Sequence, residues 1–351
     1  MKISNSSDTM KFATAHDSTY NNVWGAMKTF AILLVVIGHV TRMYTPQGLL
    51  QIGVYPSLFK YLTVFIYSFH MPLFFAVSGA IYYINKIEKR KYNNQRSFII
   101  NKSKRLLVPY AFFSIFWVFP TMWIMGFVDN PFKYFFESYV LGLNTRHLWF
   151  LVVLFEIFFV FNIASGFFIK KRFLSFGIFF ILGFFKDLLP SYFQLSNCCA
   201  YMIYFYMGFI MIPIIQKYKN NINGNYSMFI IISVVSWILL NLLLLQWNYD
   251  LFRMPIGVLT AVFGILILYL VCDKVGGVLY QRLGIYRLLQ DNSFGIYLFH
   301  PMLIYLSFYF SSSILLYPYF FSLLVFASTL IMSFVFTLLL RKLGLGFAMG
   351  E

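Results

Sequence analysis

Residues 28–39 read Lys-Thr-Phe-Ala-Ile-Leu-Leu-Val-Val-Ile-Gly-His, and Arg42 follows about one helical turn later. The run is apolar enough for a membrane helix, where an ionisable imidazole is costly and usually functional. Lys28 and His39 are three helical turns apart, so their side chains project from one face, about 16 Å apart along the axis. We expect this face to turn toward protein or water instead of lipid.

The composition of the whole chain is that of a polytopic membrane protein. Of its 351 residues, 60% are hydrophobic and 11% are charged, and the mean hydropathy is +0.76. These values lie outside the range of soluble domains. The net charge of +16 does not indicate nucleic acid, because the basic residues separate apolar runs instead of forming one surface. The three cysteines lack metal-ligand spacing, so we expect no metal site.

About ten stretches are long enough to cross a bilayer. They are Val23 to Tyr44, Leu58 to Ile84, Leu106 to Gly126, Leu148 to Phe168, Phe173 to Leu189, Cys198 to Ile215, Met228 to Trp247, Met254 to Cys272, Asn292 to Ser313 and Tyr319 to Leu340. With this topology, 21 of the 27 Lys and Arg residues fall on one side, which predicts that both termini are cytoplasmic. The expected fold is an all-α bundle, with a polar cytoplasmic tail (1–22), a membrane domain (23–342) and a short C-terminal tail (343–351).

Three further histidines lie in apolar segments or at their mouths, namely His70, His147 and His300. Pro72 follows His70 by two residues and Pro301 directly follows His300, and a proline inside a helix frees a backbone carbonyl one turn earlier. We expect a helix break beside each of these two histidines. His70 and His39 lie at a similar mid-membrane depth, and two such histidines beside a helix break predict a polar pocket.

Lys102 and Arg105 open the third predicted span and share one helix face. As a pair they suit the phosphate groups of a ligand. The same residues also suit a simpler role, since basic residues beside membrane helices hold topology and contact lipid phosphates. Both interpretations stay open from the sequence.

The fourth predicted span begins with His147 and Trp149 and carries Glu156 about two turns deeper. Trp149 is typical of the aromatic belt at a membrane interface, although a substrate contact is also consistent with its position. A carboxylate this far into an apolar helix needs a partner or must stay protonated, so Glu156 is a candidate functional residue. Nucleotide-binding, serine-hydrolase and zinc-protease motifs are missing from the sequence.

Together these residues resemble the acyltransferase 3 family of bacterial membrane enzymes that acylate cell-surface sugars. The resemblance spans most of the chain and rests on the Lys28 to His39 stretch, Phe69-His-Met-Pro-Leu-Phe-Phe with Ser78-Gly79, Lys102 to Arg105, His147-Leu-Trp-Phe-Leu, and Gly295-Ile-Tyr-Leu-Phe-His300-Pro. Two departures stand out. The family often has Arg where this chain has Lys28 and Lys102, and an acidic residue commonly precedes the first cation, where this chain has Gly25 and Ala26.

The resemblance implies a ten-helix bundle that takes an acyl group, usually acetyl, from cytoplasmic acyl-CoA and delivers it to a glycan hydroxyl. It implies that His39 is catalytic, that Lys28 supports it, and that Lys102 and Arg105 bind the donor. Such a transfer needs a base for the hydroxyl proton, a role that neutral His39 can fill. Glu156 joins these catalytic candidates, and the candidate substrate contacts are His70, Ser78, His147, Trp149 and His300.

The expected protein is therefore an O-acetyltransferase of the bacterial cytoplasmic membrane, in contact with lipids. Acetyl-CoA is its donor substrate, a glycan or lipid-linked sugar is its acceptor, and no tightly bound cofactor is expected. A succinyl donor is an alternative, as is an acyl-imidazole intermediate on His39. A glycan or lipid transporter is the alternative from another class, because broken helices with internal charges also serve alternating access.

Overall fold

The computed structural model describes residues 6–92, 94–246, 250–311 and 317–351. Within these ranges the chain folds into fourteen α-helices and no β-strand. They are α1 (Ser6–Met43), α2 (Ser57–Tyr67), α3 (His70–Tyr83), α4 (Gln95–Phe113), α5 (Phe119–Ile124), α6 (Pro131–Phe135), α7 (Trp149–Lys170), α8 (Arg172–Phe184), α9 (Leu195–Gly224), α10 (Tyr226–Gln246), α11 (Asp250–Arg282), α12 (Gly284–Asp291), α13 (Ser293–Phe310) and α14 (Pro318–Lys342). A π-helix at Ser114–Val118 joins α4 and α5 into one span. The predicted all-α membrane bundle is confirmed.

Nine segments of the described residues are long and apolar enough to cross a membrane, and they match nine of the ten predicted spans. The fifth predicted span, Phe173 to Leu189, differs, because α8 has only 13 residues and ends at Phe184. Lys186 and Asp187 follow this end, and charged groups oppose extension of an apolar helix. Leu189 is then extended, as expected for a residue before proline.

The short helix α8 still returns the chain to the side from which α7 started. Beyond α8, the Ser196 hydroxyl donates to the Lys186 carbonyl at 2.9 Å. The Gln194 amide donates to the Gly142 carbonyl, in the loop that precedes α7. We call this side the outer side, and we call the opposite side, which the Lys and Arg count predicts to be cytoplasmic, the inner side.

The first and last spans have their inner ends together. Lys28, toward the inner end of the span Val23–Met43, and Arg341, at the end of α14, line one cavity. This arrangement agrees with the expected placement of both termini on one side.

Both predicted tails contain residues with helical backbone. Helix α1 begins at Ser6, well before the expected boundary at residue 22, because neither glycine nor proline interrupts residues 6–22. Residues 1–5 lie outside the described ranges. At the other end, Gly344 has a φ of +73°, and the 3₁₀ segment Gly346–Met349 folds back with Ala348 and Met349 buried.

The predicted helix break beside His70 is present. Helix α2 ends at Tyr67 and α3 begins at His70, and Phe69 between them has a φ of −142°, outside the helical range. Pro72 lies in the first turn of α3, where its missing N–H costs little. The break separates α2 from α3 and lets His70 begin its own helix.

The predicted break beside His300 is wrong. Helix α13 runs without interruption from Ser293 to Phe310, with Pro301 inside it. Pro301 has no N–H for the Tyr297 carbonyl, but His300 donates its Nδ1–H to that carbonyl and to the Ile296 carbonyl, each at 2.9 Å. The imidazole thus replaces the missing backbone donor, and the helix continues.

Two glycines let α3 and α9 pack backbone to backbone. A Cβ at Gly79 would overlap the Phe205 carbonyl, and a Cβ at Gly208 would overlap the Ala76 carbonyl. Small residues are the usual means of close helix contact inside a membrane, where packing drives association. This contact fixes α3, whose side chains line both cavities described below.

Candidate active site

The outer half of the bundle contains a polar cavity of about 500 Å³, here called the outer cavity. Side chains of α1, α2, α3, α7, α9 and α13 line it, together with the loop that precedes α7. All four histidines singled out in the sequence face this space: His39, His70, His147 and His300. The polar pocket predicted at His39 and His70 is therefore present, and His147 and His300 also line it.

The imidazole rings form a connected group. The ring centroid of His300 lies 5.2 Å from that of His39 and 5.9 Å from that of His147. Tyr67 lies between His39 and His70, with its ring centroid 6.1 Å from that of His39 and 4.6 Å from that of His70. Within the described residues, no three His, Cys, Asp or Glu side chains are placed to hold a metal ion.

Backbone carbonyls fix the tautomers of three of these histidines. His70 and His300 each donate an Nδ1–H to a carbonyl of their own segment, and His147 donates its Nε2–H to the Leu298 carbonyl at 3.1 Å. A carbonyl only accepts, so in each neutral ring the opposite nitrogen is an acceptor. In the described part of the chain, Nδ1 of His147 and Nε2 of His300 are buried without a hydrogen-bond partner.

His39 differs from the other three. Its ring is partly accessible, lines the cavity, and makes no hydrogen bond to any described residue. In the neutral ring one nitrogen keeps its lone pair, and no hydrogen bond to a described residue occupies it. A general base needs this arrangement, since it must reach the proton that it removes.

Aromatic side chains form one wall of the outer cavity. Trp149 packs on Tyr201 with ring centroids 5.0 Å apart, and Phe75 stacks behind Tyr201 at 4.8 Å. Trp149 thus lies in the cavity wall.

A second cavity of about 360 Å³ lies in the inner half of the bundle and is here called the inner cavity. Four cations line it, namely Lys28, Lys102, Arg105 and Arg341, against two carboxylates, those of Asp291 and Glu351. Lys28 has no carboxylate within 4.0 Å among the described residues. The cavity therefore carries a net positive charge and suits an anionic ligand.

The cations of the inner cavity are held in different ways. The Lys102 ammonium lies 3.9 Å from the centre of the Phe158 ring, a cation–π contact. Arg341 donates to the Glu351 carboxylate and, at 2.5 Å, to the Asn292 side-chain oxygen. Burial raises the pKa of Tyr92, and the nearby Arg105 guanidinium lowers it in part.

Three aromatic side chains separate the two cavities. Phe74, Phe150 and Tyr297 line both of them, and we call this set the partition. The Phe150 centroid lies 5.8 Å from that of Phe74 and 5.7 Å from that of Tyr297. The Tyr297 hydroxyl donates to the His147 carbonyl at 2.6 Å, which holds the ring in place.

The partition divides residues that the sequence placed on one face. Lys28 lines the inner cavity with Lys102 and Arg105, whereas His39 lines the outer cavity. Ser78, a predicted substrate contact, also lies in the inner cavity. Lys28 is thus grouped with the predicted donor-binding residues instead of with the imidazole.

Glu156 lies in neither cavity. It packs against Cys198 of α9, and its Oε2 is buried without a hydrogen-bond partner in the described part of the chain. The structure does not bring it to the histidines, and its catalytic role stays a prediction.

Several cavity residues were not singled out in the sequence. Tyr297 stands three residues before His300, within a stretch already marked by its histidine and proline, so its position was a usable signal. Arg146 precedes His147 directly, but its orientation depends on a φ of +51°, which no sequence pattern reveals. Arg341 appears in sequence as an ordinary basic residue at the end of a span.

Comparison with known proteins gives one finding. A family model described as an acyltransferase domain matches residues 22–342. No curated protein and no solved structure matched the chain.

Proposed function

Because the chain belongs to the acyltransferase 3 family of membrane acyltransferases, we propose that it transfers an acetyl group from acetyl-CoA to a hydroxyl of a cell-surface or lipid-linked glycan. The position of His39 carries this proposal. Its imidazole faces a polar outer cavity that shares a wall with the cationic inner cavity. Each substrate of such a transfer thus has a cavity of matching chemistry.

The inner cavity suits the donor, because CoA carries several phosphate groups. Lys102 and Arg105 lie on one helix face, and Lys28 and Arg341 add two cations to the same cavity. Arginine grips phosphate with a planar pair of N–H donors, whereas lysine contributes a point charge. This cavity lies on the side predicted to be cytoplasmic, where acyl-CoA is made. The pantetheine arm then passes the aromatic partition, which brings the thioester to His39.

The outer cavity suits the acceptor and the chemistry. A neutral nitrogen of His39 accepts the proton of the sugar hydroxyl as the hydroxyl oxygen bonds to the thioester carbonyl carbon. The carbon–sulfur bond then breaks, and the imidazolium returns the proton to the CoA sulfur. Such base catalysis contributes about 10²- to 10⁴-fold to a rate.

The remaining histidines supply acceptors for the sugar. Nδ1 of His147 and Nε2 of His300 lack partners among the described residues, so a sugar hydroxyl can donate to them. Trp149 offers a flat surface for the apolar face of the ring. We propose that the enzyme lies in a bacterial cytoplasmic membrane, that it works without a tightly bound cofactor, and that Ser78 and Glu156 act outside the acceptor site.

Two measurements test the proposal. Purified protein in liposomes is supplied with radiolabelled acetyl-CoA and an acceptor glycan, and label is expected to appear in the glycan. Mass spectrometry of surface polysaccharide from cells with and without the gene then identifies the acyl group, which separates acetyl from succinyl. Glycan movement across the bilayer without any acyl-CoA requirement would instead identify a transporter.

A further inference from the structure

The outer cavity carries an unbalanced positive charge. Two guanidinium groups, those of Arg42 and Arg146, line it, and the residues that form its wall include no aspartate and no glutamate. No salt bridge joins either arginine to a described residue. A neutral sugar gives no reason for two unpaired cations in a partly enclosed space, where desolvation makes them costly.

Arg146 has the properties of a residue held for a ligand. Its Nε is buried and has no hydrogen-bond partner within the described residues. Its backbone has a φ of +51°, a left-handed conformation that costs free energy in a residue other than glycine. Thr145 before it and His147 after it also line the cavity, so this strained turn is part of the cavity wall.

Arg42 is oriented by uncharged groups. Its guanidinium carbon lies 4.9 Å from the centre of the Tyr67 ring, and its Nε donates to the Gln47 carbonyl at 3.3 Å. Tyr305 lines the same cavity and lies within electrostatic reach of both arginines. Both positive charges therefore act on the same small volume, and nothing on the cavity wall neutralises them.

We propose that the acceptor is an anionic glycan, a sugar that carries a phosphate or a carboxylate group. Arg42 and Arg146 bind the anionic oxygens, and Trp149 and Tyr201 pack on the sugar ring. This inference rests on the proposed function, because it assigns the outer cavity to the acceptor. It adds the chemical class of that acceptor, and it does not depend on which acyl group is transferred.

A binding experiment tests the charge preference without any acyl transfer. Full-length protein in nanodiscs of neutral phosphatidylcholine is titrated with glucose 1-phosphate, glucuronic acid and glucose, with free CoA present to fill the inner cavity. We expect at least one anionic probe to bind about tenfold more tightly than glucose, since charge-assisted hydrogen bonds are stronger than neutral ones. Preference for the first probe assigns phosphate, and preference for the second assigns carboxylate. Equal binding of all three overturns the proposal.

Variants of the two arginines test whether these residues cause the preference for anionic probes. Arg146→Gly removes the charge and also suits the positive φ, so the protein is expected to fold with unchanged or higher thermal stability. Both Arg146→Gly and Arg42→Gln are expected to reduce anion binding to the level of glucose. The matched control is Arg253→Gln, at an exposed arginine outside the cavity, and it is expected to change nothing.

Two results overturn the proposal at this stage. One is an anion preference that survives both arginine variants. The other is a preference lost in Lys102→Gln, which would place the anion in the inner cavity. Failure of the proposed function gives a different pattern, in which the anion preference and its loss are observed but no label passes from acetyl-CoA to any glycan.

Discussion

The imidazole rings of His39 and His300 pack edge to face at a centroid distance of 5.2 Å, and a proline fixes the second of them. Pro301 leaves the Tyr297 carbonyl without a backbone donor, and His300 supplies its Nδ1–H instead. The Nε2 lone pair of His300 is therefore directed away from that bond and has no partner among the described residues. The same proline that removes a helix hydrogen bond thus sets the tautomer of a cavity residue.

Replacement of His300 by leucine tests this role. The variant loses one acceptor for the sugar, and we expect the acceptor KM to rise about tenfold, the effect of one hydrogen bond. The KM for acetyl-CoA is expected to stay constant. An unchanged acceptor KM in a variant that elutes as a folded protein would contradict the assignment.

Lys102 and Lys104 form a matched pair for testing the donor site. Lys102 lines the inner cavity, whereas Lys104 is exposed on another face of α4. Lys102→Gln is expected to raise the KM for acetyl-CoA about tenfold, because a charge-assisted contact is lost. Lys104→Gln is expected to leave it unchanged, and Lys102→Arg to restore it. Equal effects of the two glutamine variants would show that general surface charge, and not the cavity, governs donor binding.

We expect the partition to limit the passage of water between the two cavities. Phe150→Ala removes a ring that both cavities share, so water gains access to the path along which the thioester reaches His39. We expect CoA release from acetyl-CoA in the absence of acceptor to increase, measured with a thiol reagent. Phe159→Ala, at an exposed position of the same helix, is the control and is expected to release CoA at the wild-type rate. Equal release by both variants would argue against a barrier at Phe150.

The close contact of α3 and α9 predicts a stability effect. Gly208→Ala places a methyl group against the Ala76 carbonyl, so the helices must separate. We expect a lower thermal unfolding temperature in detergent. Gly166→Ala is the control, because a Cβ there meets no atom within 4 Å, and alanine favours the helix. A Gly208→Ala variant as stable as its control would show that the contact is looser than described.

The histidine cavity could be predicted because ionisable groups are rare in apolar helices. His39, His70, His147 and His300 each stand out against their surroundings, and the structure brings all four to one space. The break beside His70 was predictable because Pro72 lacks a backbone N–H. The continuous helix at His300 was not predictable, because it depends on a hydrogen bond from the His300 side chain that replaces a backbone hydrogen bond.

Features that depend on tertiary packing were not predictable. Lys28 and His39 share a helix face, yet rings from three other helices divide that face between two cavities. The carboxylate of Glu156 turns toward Cys198 because of how α7 and α9 pack, and hydropathy says nothing of that register. The length of α8 was overestimated because the predicted span continued past Lys186 and Asp187 to the apolar Leu188 and Leu189, although the helix ends at Phe184.

The central claim is that His39 takes the proton of the acceptor hydroxyl. The most direct test is His39→Gln in liposomes, with transfer of labelled acetyl to glycan and binding of acetyl-CoA measured on the same preparation. The account predicts that transfer falls by about 10²-fold or more while donor binding is unchanged, because the base is lost and the inner cavity is intact. Transfer at the wild-type rate by this folded variant would contradict the account.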